Sequence, residues 1–250
     1  MIVALCGKGG TGKTTVAGLL VHFLRKENKG PVLAIDADPN ETLGEVLGLK
    51  PQASIVGILD EISEKKDQLP AGMTKERYIE YRLEEAVQES KGLDLLVMGR
   101  PEGPGCYCYV NTLLRDLISR FSRQYPFIVI DNAAGMEHLS RRTERRMDIL
   151  VLVSDYSILG VRAALKIYEL AKGLKIKIGK SFLIINKATD KIEFLEKEFS
   201  ASRDINLAGV IPYDQDLIKA GIENKSIENW SREGQVMRES FKIFRRMLCL

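Results

Sequence analysis

The chain has 250 residues, 45% of them hydrophobic and 28% charged, an ordinary globular composition in the size range of one α/β domain with a sizeable core. Its formal net charge of +3 is too small to point to nucleic acid or an anionic membrane as partner, and no apolar run approaches the ~20 residues of a membrane span. The opening Met1-Ile2-Val3-Ala4-Leu5-Cys6 has no basic lead, no long apolar core and no cleavage site. A cytoplasmic chain is therefore expected, with its four cysteines (Cys6, Cys106, Cys108, Cys249) as thiols.

Continuous apolar stretches bounded by polar residues or glycine predict buried parallel strands over 2–6, 31–35, 93–98, 127–130, 149–153, 181–185 and 207–211. Segments of helical periodicity alternate with them, over 14–27, 111–124, 159–172 and 192–199. Such alternation predicts an α/β fold: a single doubly wound, mainly parallel sheet with helices on both faces and ligands outside the strand carboxyl ends. Residues 62–92, long and charged, are expected to form surface helices inserted between the second and third strands. Residues 227–250 predict a C-terminal helix with Phe241, Phe244 and Met247 at core spacing. No linker splits the chain, so one domain over 1–250 is expected.

Gly7-Lys8-Gly9-Gly10-Thr11-Gly12-Lys13-Thr14-Thr15 follows the first strand and opens a helix. It fits G-x-x-x-x-G-K-[ST] in the context that a phosphate-binding P-loop requires. The glycines let backbone N–H groups face a phosphate, and the helix N-terminus adds its partial positive charge. Lys13 is expected to reach the β- and γ-phosphates of ATP, and Thr14 to ligate Mg²⁺. Asp36-Ala37-Asp38-Pro39-Asn40 follows the second strand, where two carboxylates two residues apart can face one cleft. Asp131 ends the apolar strand Phe127-Ile128-Val129-Ile130, with Asn132-Ala133-Ala134-Gly135 after it. Asn186-Lys187 ends the strand Leu183-Ile184-Ile185, and Pro212-Tyr213-Asp214 follows the last strand.

After the third strand comes Gly99-Arg100-Pro101-Glu102-Gly103-Pro104-Gly105-Cys106-Tyr107-Cys108. A lone free cysteine is usually a small buried hydrophobe, but two in one glycine-rich loop are not easily explained by packing. Thiolates prefer soft or borderline metals, and one chain supplies two of the four ligands of a closed tetrahedral site. An isologous dimer would supply all four. The pair therefore points to one metal ion shared by two subunits. A redox disulfide competes, although cysteines one residue apart are sterically awkward partners.

Lys8-Gly9-Gly10-Thr11-Gly12-Lys13-Thr14-Thr15 resembles the deviant Walker A group of P-loop ATPases, which includes the MinD/ParA ATPases, the nitrogenase iron protein and the arsenite-pump ATPases. The resemblance implies that Lys8 crosses a homodimer interface to the nucleotide of the other subunit. It also implies that Asp38 orients the attacking water, with Asp36 in a supporting or Mg²⁺-water role, and that Asp131 holds Mg²⁺ through water. On this likeness 132–135 is a second switch, Asn186 and Lys187 contact adenine, and Pro212, Tyr213 and Asp214 lie along the base. Hydrolysis of ATP to ADP and phosphate would follow. Together with the C-x-C loop, the pattern is similar to the CooC family of nickel-insertion ATPases. That likeness implies an ATP-driven homodimer that holds Ni²⁺ through Cys106 and Cys108 for a nickel-iron-sulfur client, carbon monoxide dehydrogenase or acetyl-CoA synthase.

Two other readings remain. One is an Fe–S reductase of the nitrogenase iron protein type; against it, the segment 131–138 has no cysteine and carries His138 instead. The other is a positioning ATPase without metal, which would end in a basic amphipathic helix for lipid. Lys242, Arg245 and Arg246 beside Phe241 and Phe244 keep that open, but core packing of the tail is preferred and no membrane is expected. The basic run Arg141-Arg142-Thr143-Glu144-Arg145-Arg146 reads as a solvated face or a dock for an acidic client. Cys6 and Cys249 are expected to be structural.

Overall fold

A strand covered by helices on both faces needs no polar alternation, and the strands here show none at their centres. The computed structural model describes residues 1–64, 70, 73–100, 107–134, 146–200, 202, 204–230 and 234–250. Among them, seven strands form one sheet: β1 (Ile2–Gly7), β2 (Val32–Ala37), β3 (Leu93–Val97), β4 (Phe127–Asn132), β5 (Arg146–Ser154), β6 (Lys177–Ala188) and β7 (Ile205–Pro212). Their order is β3-β2-β4-β1-β5-β6-β7, and every pair is parallel. All residues of β2 and β4 are buried.

Successive side chains of a strand point to opposite faces, and β1 shows what each face meets. Val3 and Leu5 join a core with Val16, Leu19, Leu20, Phe23 and Leu24 of helix α1 (Lys13–Lys26). Ala4 and Cys6 join the opposite core, formed with α3 (Ile55–Glu64), α5 (Tyr107–Phe121) and α6 (Ile158–Gly173). Between β2 and β3 lie α2 (Leu43–Leu47), then α3, then α4 (Lys75–Glu85). Shorter helices, α7 (Glu193–Phe199) and α8 (Gln215–Ile222), flank β7.

Two sequence expectations change here. The helical segment between β2 and β3 begins well before residue 62, and it is not confined to the surface. Ile55, Ile58 and Ile62 form one stripe at helical spacing on α3 and are buried with Ile79 and Leu83 of α4. That stripe was hidden by the charges around it. Arg82 ties the two helices together through both oxygens of Glu61, at 2.8 and 3.3 Å.

The C-terminal helix α9 (Gln235–Leu248) turns its apolar face inward. Phe244 is fully buried, with Val236, Met237, Ile243, Met247 and Leu248 beside it. Burial of a phenylalanine contributes about 2–3 kcal/mol. Phe241 is only partly buried, its ring 5.1 Å from that of Phe23. Gly209 of β7 permits this packing, because a Cβ there would come within 2.5 Å of Ile243 Cγ1. Charges face outward, as in the Lys242–Glu239 pair at 2.8 Å. Among the described residues no helix is long and apolar enough to cross a membrane.

Candidate functional site

The carboxyl ends of β1, β2 and β4 place three loops at one end of the sheet. Register brings their side chains together, since Asp131 lies opposite both Leu5 of β1 and Asp36 of β2.

The loop 7–12 leads into α1. Gly12 caps this helix at φ 86°, a left-handed conformation suited to glycine. No side chain caps the helix and no acidic residue sits in its first turn. Its first N–H groups therefore have no intrahelical acceptor and carry the positive end of the dipole. Thr11 is fully buried, and its hydroxyl donates to the Lys8 carbonyl at 2.9 Å. Lys13 is only 6% exposed. Thr14 and Thr15 are half-buried, while Lys8, Gly9 and Gly10 are exposed.

Asp36 is fully buried and accepts the backbone N–H groups of Asp38, at 3.1 Å, and Leu43, at 2.8 Å. Both of its oxygens thus hold the turn that carries Asp38. Burial pushes its pKa up to about 7; the Leu43 N–H works against this and the Asp131 charge adds to it. Asp38 Oδ1 accepts the backbone and side-chain N–H groups of Asn40, at 3.0 and 2.8 Å. Its Oδ2 has no hydrogen-bond partner among the described residues.

Asp131 is different. It is fully buried, and neither carboxylate oxygen has a hydrogen-bond partner among the described residues. Burial raises its pKa to about 6, offset in part by the nearby Thr14 hydroxyl and the Lys13 charge and reinforced by Asp38. Leaving a buried carboxylate without a partner is costly, and a cation beside it removes the cost. A hydroxyl and carboxylates are hard oxygen donors, so these residues fit Mg²⁺. Asn132, next along β4, donates to the Leu5 carbonyl at 3.2 Å and ties β4 to β1 just under the loop.

Asn186 and Lys187, at the end of β6, reach the same loop. The Asn186 amide donates to the Thr11 carbonyl at 2.8 Å, and the Lys187 ammonium to the Gly10 carbonyl at 2.8 Å. Contact with the loop backbone was not legible in the sequence, where the family likeness implies contact with adenine. Pro212 ends β7 and Tyr213 is exposed. Asp214 caps α8 by accepting from the N–H groups of Asp216 and Leu217. That helix was missed, although an aspartate followed by a periodic segment is an N-cap signal.

Cys106, Gly135, His138 and residues 141–145 lie outside the described residues. Cys108 falls in the first turn of α5, and its side chain is likewise outside them. Among the described residues no group of three His, Cys, Asp or Glu is placed to hold a metal. Cys6 is buried. Cys249, by contrast, is exposed at the end of α9, in the left-handed region at φ 57°. A cavity of about 530 Å³ lined by Arg25, Lys26, Lys91 and Glu228 lies near the strand N-termini and includes no residue of the loop.

Residues 2–227 match the family model for the CobQ/CobB/MinD/ParA nucleotide binding domain. The chain is 36% identical over 250 residues to an uncharacterized ATP-binding protein of Methanocaldococcus jannaschii, covering 99% of this chain and 98% of that one. It is 30% identical over 227 residues to the carbon monoxide dehydrogenase accessory protein CooC of Rhodospirillum rubrum, covering 86% and 84%. Its fold matches the septum site-determining protein MinD of Pyrococcus horikoshii, solved with Mg-ADP, with a TM-score of 0.70, 21% identity and coverage of 98% and 95%.

Proposed function

Since the chain belongs to the family of CobQ/CobB/MinD/ParA nucleotide-binding domains and is a P-loop ATPase, we propose that it spends ATP on delivering nickel to a client enzyme. The observation that carries the nickel part is the pairing of Cys106-Tyr107-Cys108 with 30% identity to a carbon monoxide dehydrogenase accessory protein. The ATP part rests on the uncapped α1 N-terminus beside a buried, unpartnered Asp131.

In the proposed reaction the loop N–H groups and Lys13 bind and orient the triphosphate. A Mg²⁺ ion held by Thr14 and, through water, by Asp131 would neutralise charge on the β- and γ-phosphates. Asp38, with Oδ2 open, holds the attacking water in line with the γ-phosphate, while Asp36 fixes the turn beneath it. Positioning and fixed charge thus supply the rate enhancement. Lys8, which is exposed, would contact the nucleotide of a second subunit. The adenine role of Asn186, through its amide oxygen, and of the Pro212–Asp214 segment belongs to this proposal too.

Asp38→Asn is expected to lower kcat about 10²-fold, the low end for loss of a group that handles the attacking water. ATP affinity should stay within a few-fold, because Asn keeps the side chain's size. Single-turnover hydrolysis together with nucleotide titration checks this; equal losses in both would assign Asp38 to binding.

The proposed cargo is Ni²⁺, with Zn²⁺ as competitor, held between two protomers by two cysteines from each. The client is a nickel-iron-sulfur enzyme, carbon monoxide dehydrogenase or acetyl-CoA synthase. Anaerobic equilibrium dialysis, with sizing in the presence and absence of ATP, tests this. One Ni²⁺ per dimer is expected for the wild type and none for Cys106→Ala/Cys108→Ala. Binding that ignores both cysteines, or no binding at all, would remove nickel delivery and leave a dimerising ATPase with another cargo.

A further inference from the structure

The pairing of β6 with β7 breaks at one informative place. Ile185 lies opposite Val210 and Ala188 opposite Pro212. Asn186 and Lys187 therefore share the space facing one residue, Ile211, and form a bulge. Lys187 adopts φ 59° there, a left-handed conformation that a lysine does not favour. Bulges re-aim side chains next to functional sites, and strained backbone persists where surrounding contacts hold it. The contacts here run to the phosphate loop: Asn186 Nδ2 to the Thr11 carbonyl and Lys187 Nζ to the Gly10 carbonyl, each at 2.8 Å. Gly12 closes against the same pair, since a Cβ on it would overlap the Asn186 amide and meet Lys187 Cε at 3.7 Å.

We propose that Asn186 and Lys187 are positioning residues that hold the phosphate loop in its binding shape before nucleotide arrives, by gripping its Gly10 and Thr11 carbonyls. The inference rests on the nucleotide reading of the loop above and adds how the loop is set.

Stereochemistry supplies the reason. In a planar trans peptide the C=O and the next N–H point in opposite directions. Holding the Thr11 carbonyl toward β6 therefore turns the Gly12 N–H away from β6. The Gly10 carbonyl likewise fixes the Thr11 N–H, which makes only a long 3.4 Å contact with the Lys8 carbonyl. A glycine-rich loop loses much conformational freedom on ordering. A grip that orders it in advance removes that cost from binding. Asn186 is buried at 4% exposure and already committed to the loop, so its donor acts on phosphate through the backbone.

The test compares ATP with inorganic tripolyphosphate, which has no base, on the full chain with Mg²⁺. Lys187→Ala changes an exposed side chain and leaves the core intact. Both ligands are expected to bind it about tenfold more weakly, the worth of one charge-assisted hydrogen bond to the loop. The loss should fall mainly on KM, with a smaller change in kcat, since the loop is ordered in ground and transition states alike. Lys187→Arg should restore most of it. Amide exchange at residues 11–13 should quicken in nucleotide-free Lys187→Ala and return to the wild-type rate at saturation. If tripolyphosphate binds the variant as well as it binds wild type while ATP weakens, Lys187 serves the base and the inference is overturned. Unchanged affinity for both ligands, with unchanged exchange, overturns it as well. Wild type that binds neither ligand would instead defeat the nucleotide reading itself.

Discussion

Replacing Lys13 by alanine is expected to cut kcat/KM for ATP by about 10³-fold or more, at or beyond the upper range for one preorganised donor to a developing anion. The ammonium is buried at the first position of α1. No carboxylate lies within ion-pair distance of it among the described residues. A desolvated cation without a paired anion is an expensive arrangement for a fold to keep, and its charge remains free for phosphate. Removing it takes away ground-state binding together with stabilisation of the charge that grows on the γ-phosphate. Folding should change little, because alanine is a good helix former and removes a buried charge, while Asp131 loses a cation that offsets its burial. Lys13→Arg should not rescue, since a planar guanidinium does not fit a site shaped for a compact ammonium. ADP release by a coupled assay, with a thermal melt as control, decides it. An alanine variant that melts normally and hydrolyses within tenfold of wild type would place the chemistry elsewhere.

The strands were legible because burial on both faces leaves an unbroken apolar signature; 127–130 and 149–153 read directly as the centres of β4 and β5. The loop was legible because its chemistry is local, with glycines, Lys13 and Thr14 at fixed spacing after a strand. What could not be read is long-range. Nothing near Asp36 in the chain says that Asp131 stands beside it; that depends on β4 lying between β1 and β2. The bulge at Asn186 and Lys187 is equally hidden, because register between β6 and β7 is decided by packing rather than by the residue types at 186 and 187. Most of α3 was not anticipated, because its apolar stripe is short and charged residues follow it. α8 was passed over because eight residues give periodicity little length to show itself. The site is thus assembled from locally readable pieces whose mutual placement belongs to the sheet.

That placement makes Asp131 the residue where function most plainly costs stability. Asp131→Asn is expected to lower kcat about 10³-fold while stabilising the metal-free protein by about 2 kcal/mol at pH 7.5. The sign follows from the raised pKa. In the folded state the carboxyl titrates at about 6, above its value of ~3.9 in an unfolded chain. The folded protein thus holds the proton more tightly, and its stability falls as pH rises from about 4 to 6. Above that window the full cost of an unpartnered buried carboxylate is present. Asparagine carries no charge at any pH, so the variant escapes the cost, and its advantage should shrink toward zero as pH falls to 4. Asp36 works in the same direction. It lies opposite Asp131 in register and is pushed up partly by its charge, so neutralising one eases the other. Mg²⁺ with nucleotide should narrow the gap from the other side, because binding stabilises the wild type more than the variant. Urea unfolding of both proteins in chelator at pH 7.5, 6, 5 and 4.5 gives the comparison. A variant less stable than wild type at pH 7.5, or a gap that does not change with pH, would show that the carboxylate is already satisfied in the folded chain. The assignment of Thr14 and Asp131 to Mg²⁺ would then lose its main support.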